Sequence, residues 1–151
     1  MRQLNSGHPQ NAAPPQRLLP VLQKLKKAYL MWYGCYHVLP KPHRYSLGQR
    51  IDTLFIHALE AVATASFLPP DKKQSYVQIA IRKVDTVKLL LLMLWETKSL
   101  NDKKYTALSL ELDDAGRQLG GWNGQLTKTI RPAHGKQNSP ASANRRIVEE
   151  K

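Results

Sequence analysis

From Pro20 to Trp122 the large apolar residues return every three or four positions, and prolines cut the pattern into blocks. In the first block Leu22, Leu25, Tyr29, Trp32, Tyr36 and Leu39 share one stripe of a helix. Pro20 suits its first turn, and Pro40 and Pro42 stop it. Leu47, Ile51, Leu54, Ala58, Ala61, Ala65 and Leu68 repeat the spacing in a second helix, whose alanines let a neighbour approach closely. Ser46 and Gln49 have the spacing of a capping box, which predicts that this helix starts at Ser46. Pro69-Pro70 breaks the chain, and Asp71 is the expected N-cap of a third helix running to about Thr97. Asn101 is the expected cap of a fourth, with Tyr105, Leu108, Leu112, Ala115, Leu119 and Trp122 on its stripe and Gly120-Gly121 at its end. No segment alternates as a strand does. The pattern predicts an all-α protein, an up-down-up-down four-helix bundle over residues 17–122. Residues 1–16, rich in Pro, Asn and Gln, read as a flexible arm, and residues 123–151 as a basic flexible tail.

The third helix departs from a one-sided pattern, because residues 89–95 (Leu-Leu-Leu-Leu-Met-Leu-Trp) are apolar around the whole circumference. A bundle helix normally keeps one wet face. Leu89, Leu91, Leu92 and Trp95 are therefore the expected interface of a homo-oligomer. The alternative is a central helix covered by packing of the tail.

Charge adds a partner class. The chain of 151 residues carries 23 Lys and Arg against 11 Asp and Glu, a formal net charge of +12. The folded part shares this excess, with 16 Lys and Arg against 9 Asp and Glu from Arg17 to Trp122. Such a surplus concentrates polyanions and favours nucleic acid over an anionic membrane. Arg17, Lys24 and Lys27 line one face of the first helix with Lys26 on its flank; Arg44 and Arg50 flank the start of the second; Arg82, Lys83 and Lys88 crowd the polar side of the third. Phosphate neutralisation requires only such point charges, and these nine residues are the candidate binding surface. Lys72-Lys73 and Lys103-Lys104 sit in first turns, against the helix dipole.

Catalytic chemistry has little to work with. His37, His43 and His57 lack the spacing that puts two metal ligands on one helix face, and Asp113-Asp114 point apart. Phosphate-binding glycine loops, nucleophile elbows and Cys-x-x-Cys pairs do not occur, so neither an enzyme, a metal nor a cofactor is expected. Cys35 is the single cysteine and has no internal disulfide partner. Without a secretory signal or an apolar run of membrane-spanning length, a cytoplasmic location is the expectation.

Two stretches resemble a known family. The turn Lys41-Pro42-His43-Arg44-Tyr45-Ser46-Leu47-Gly48-Gln49-Arg50 and the ending Asp114-Ala115-Gly116-Arg117-Gln118-Leu119-Gly120-Gly121-Trp122, with an aromatic-rich first helix and a Leu-rich third, resemble the accessory variability (Avd) proteins of diversity-generating retroelements. That family is in turn similar to the four-helix proteins encoded within intervening sequences of bacterial large-subunit ribosomal RNA genes. The resemblance covers about Pro20 to Trp122. It implies a four-helix bundle assembled into a basic pentameric barrel that binds the element's reverse transcriptase and template RNA, supporting mutagenic cDNA synthesis and its transfer into a target gene. The arm before Arg17 and the tail after Leu126 depart from the family pattern. An RNA- or ribosome-associated bundle without a reverse transcriptase, and a purely structural oligomer, are the alternative functions.

Overall fold

Pro20, with its fixed φ and no N–H to satisfy, opens helix α1 (Pro20–Tyr36) in a computed structural model that describes residues 19–135. Three further long segments follow: a short turn α2 (Lys41–His43) running through a π-helical stretch (Arg44–Gly48) into α3 (Gln49–Ser66), then α4 (Pro70–Glu96) and α5 (Asp102–Gly135). The described residues contain four long helices and no strand. The 1–16 arm, Arg17 and the tail after Gly135 lie outside the described residues.

One apolar cluster joins all four helices. Leu25, Trp32, Ile51, Phe55, Val84, Leu91, Leu112 and Leu119 are buried within it, and no polar or charged residue among those described is buried. α3 packs on α1 and α4, and α5 packs on α4 and α1. Trp32 stacks on Phe55 at 6.5 Å between centroids, and Tyr29 meets Phe55 edge-on at 5.8 Å. Such aromatic pairs add to the area they bury. In α1 the buried line is Val21, Leu25, Ala28, Trp32 and Cys35, while the expected Leu22, Tyr29 and Tyr36 flank it half-buried. The inward line of α1 thus alternates small Ala28 and Cys35 with the large Trp32, and Tyr29 and Tyr36 pack at its edge.

Three expected boundaries move. Ser46 is no cap: the chain is helical from Lys41, and the Ser46 hydroxyl donates to the Pro42 carbonyl at 2.7 Å. Asp71 lies in the first turn of α4, and Pro69 holds the cap position. α5 does not end at Gly120-Gly121 but continues to Gly135, so the bundle boundary at Trp122 falls inside a helix. Leu126 explains the extension, continuing the apolar repeat one turn beyond Trp122 and burying itself, while Gln74 of α4 donates to Thr127 Oγ1 at 2.7 Å. Asn101 caps α5 as expected, its side-chain oxygen accepting from the Lys104 N–H at 2.9 Å.

α4 ends in a Schellman turn, with the Ser99 N–H bonded to the Leu94 carbonyl and the Lys98 N–H to that of Trp95. The position that glycine usually fills is Lys98, at φ 62°. Lys98→Gly is expected to raise stability by roughly 1 kcal/mol, read as an upward shift of the denaturant midpoint with unchanged slope.

Candidate nucleic-acid interface

The geometry redistributes the nine candidate cations. Lys24 and Lys27 of α1 reach across to α5, where Lys27 Nζ lies 2.6 Å from Glu111 Oε1 and Lys24 Nζ lies 3.4 Å from Asp114 Oδ2. Lys88 of α4 pairs with Asp113 at 2.6 Å. Asp114 also takes Arg117, and the hydrogen bonds from Arg117 and then Lys24 hold its carboxyl below the usual carboxylate range. These three expected phosphate ligands thus tie helices together and present neutralised charge. Arg44 is engaged as well, its Nη2 donating at 2.9 Å to the carbonyls of His37 and Leu39. Arg17 lies outside the described residues.

Lys26, Arg50, Arg82 and Lys83 form no ion pair among the described residues. Lys26, Arg50 and Arg82 are exposed and Lys83 is half-buried. Counting from the turn that joins α3 to α4, Arg50 lies about level with Thr86, one helical turn from Arg82 and Lys83. These three cations thus lie at neighbouring levels of α3 and α4, whereas Lys26 belongs to α1.

The motif that carries the family resemblance builds a compact knot. A Cβ on Gly48 would sit 3.1 Å from Leu39 Cδ1, 3.2 Å from the His43 carbonyl oxygen and 3.3 Å from Tyr36 Cε2, so only glycine fits without displacement. Arg44 clamps the preceding turn, and His43 Nδ1 hydrogen-bonds Ser99 Oγ, joining the knot to the α4–α5 turn. Burial pushes the Cys35 thiol up, only partly opposed by Lys104, which keeps it protonated and a weak nucleophile at neutral pH. His37 and His57 are exposed, the first at the C-cap of α1 and the second within α3. Among the described residues no group of His, Cys, Asp and Glu is placed to hold a metal ion, and no helix is long and apolar enough to cross a membrane.

The expected oligomer interface also divides. Leu91 is fully buried in the core and cannot meet a partner. Trp95 is held in place, its Nε1 donating to Asp102 at 2.7 Å and its ring stacked on Tyr105. Leu92 is half-buried, whereas Leu89 and Met93 are 56% and 41% exposed. Leu91 turns inward because it continues the Val84–Val87–Leu94 line, a 3.6-residue period running through a segment of uniform composition.

Sequence reading passed over one feature of the first helix and its turn. Asp52 is the first acidic residue of the chain, after 8 Lys and Arg. Among the described residues, every carboxylate that pairs with α1 comes from α5. On the outer face of α1, Lys26, Leu30, Tyr33 and His37 follow at gaps of four, three and four, a helical stripe visible in the sequence once the core face is known. No protein-family model, curated protein or solved structure matches the chain.

Proposed function

We propose that the chain is a non-catalytic accessory protein of a diversity-generating retroelement, binding its reverse transcriptase and template RNA, with cDNA as a second candidate ligand, in support of mutagenic copying and retrohoming. The observation that carries the polyanion-binding part is the set of uncompensated cations Lys26, Arg50, Arg82 and Lys83, on a chain of formal net charge +12. The resemblance of the Lys41–Arg50 turn and the Asp114–Trp122 segment to Avd proteins supports the choice of partner. The reading includes an up-down-up-down bundle that assembles into a pentamer, with Leu89 and Met93 of α4 meeting a second copy. Their outward apolar surface beside polar Asp85 and Glu96 supports that contact.

RNA affinity is expected to fall steeply with salt, each neutralised phosphate adding about 0.7 to 0.9 to the log–log slope. Reversing both charges in Arg82→Glu/Lys83→Glu should lower that slope by about 1 to 2 while leaving the helical circular dichroism intact. Binding insensitive to salt and to both reversals would sink the reading. A reverse-transcriptase gene beside this one, and co-purification of its product with the chain, would separate the retroelement role from general RNA binding.

A further inference from the structure

We infer that the outer stripe of α1 and the adjoining π-helical turn bind nucleic acid in single-stranded form. Unpaired bases stack on Tyr33 and Tyr45 while Lys26 and Lys41 meet the phosphates. The inference rests on the polyanion-binding reading above and narrows it to one form of the polyanion.

Three observations converge on this segment. The first is charge: α1 and the turn that follows contain no Asp or Glu, and the nearest acid in sequence, Asp52 of α3, is half-buried beside Tyr29, whose hydroxyl is pushed up by burial and then by that carboxylate. An anion approaching the outer face meets Lys26, and beyond it His37 and Lys41, with no carboxylate from its own segment to repel it.

The second is aromatic exposure. Tyr33 is 53% exposed and Tyr45 67% exposed, so neither ring owes its place to the core. A planar ring in water offers a π-face to any base, whatever its identity, which makes binding tolerant of sequence. A base paired inside a duplex has both faces already covered. Only an unpaired strand can use these rings.

The third is bracing. The His37 ring meets Tyr33 edge-on at 4.8 Å and Tyr36 at 5.6 Å, and the His37 carbonyl accepts from Arg44. Tyr33 is thereby held before a ligand arrives, which reduces the ordering cost of binding. Lys41 stands one turn before Tyr45 on the same continuous helical segment, placing a cation beside the second ring.

The test measures anisotropy of a labelled single-stranded oligoribonucleotide, and of the duplex formed from it, against the full chain at low salt. The single strand is expected to bind at least about tenfold more tightly than the duplex. Tyr33→Ala and Tyr45→Ala should each weaken single-strand binding by about 5- to 150-fold, with duplex binding unmoved, and Tyr33→Phe and Tyr45→Phe should retain parental affinity. Equal affinity for both forms, or alanine variants of unchanged helicity that bind the single strand as the parent does, would overturn the inference and leave RNA binding itself standing. The comparison of the two forms uses the unsubstituted chain and holds even if an alanine variant fails to fold. Absence of binding to either form at low salt would remove the inference and the polyanion-binding reading together.

Discussion

Leu91→Asp is expected to abolish the folded state, while Leu89→Asp, two residues away, leaves the helical circular dichroism intact and lowers the mass of the assembly. Leu91 is 0% exposed among Val84, Val87 and Leu94. Removing a buried leucine side chain alone costs about 2–5 kcal/mol. An unpaired carboxylate in its place adds a desolvation penalty, and the sum rivals the roughly 5–15 kcal/mol that holds a domain of this size together. Leu89 faces outward, where a substitution changes monomer stability by about 0.5 kcal/mol or less. Thermal melts followed at 222 nm (the helical band) with light scattering on the same samples decide between the two sites. A cooperative, parent-like melt of Leu91→Asp would refute its placement in the core, and an unchanged mass for Leu89→Asp would refute the proposed contact between copies.

The second large effect has the opposite sign. Gly116, Gly120 and Gly124 recur every fourth residue on α5, and a Cβ added at any of them would meet nothing within 4 Å. Each glycine in a helix interior costs about 0.8–1 kcal/mol relative to alanine. The triple alanine variant should therefore be more stable by about 2–3 kcal/mol, read from the denaturant midpoint. A midpoint that stays put or falls would mean that the three positions touch something the monomer lacks.

Those glycines also mark where sequence reasoning reached its limit. The existence of four helices was legible because prolines and apolar spacing are local signals, and Asn101 announced its cap correctly. The end of α5 was not, since Gly120-Gly121 carries the local sign of a stop. The burial of Leu126 and the Gln74–Thr127 hydrogen bond, both tertiary, override it. The capping box at Ser46 failed for a similar reason: the helix had already begun at Lys41, and the hydroxyl bonds backward to Pro42. Within the run of residues 89–95, composition alone could not tell inward Leu91 from outward Leu89.

Charge was harder to place than fold. Lys24, Lys27 and Lys88 looked like free surface cations because their partners, Glu111, Asp114 and Asp113, lie far along the chain. Pairing across that distance leaves no trace in local spacing. Arg44, adjacent to a turn in sequence, spends its hydrogen bonds on that turn. The residues that keep their charge available, Lys26, Arg50, Arg82 and Lys83, were among those named from sequence. The aromatic stripe beside Lys26 emerged only when the inward face of α1 was fixed.

Among the described residues, the carboxylates that pair with α1 all reside in α5, and this bears on the order in which the chain is made. Lys24 finds Asp114 across 90 residues and Lys27 finds Glu111 across 84. Vectorial synthesis delivers the first helix to the solvent long before the last one exists. Through that interval the nascent segment carries 8 cations and no acid up to Asp52, emerging from a machine built largely of RNA. Translation of α5 supplies the neutralising carboxylates and completes the apolar core in the same step, so an interrupted chain leaves Lys24 and Lys27 without these partners while a completed one ties both to its last helix.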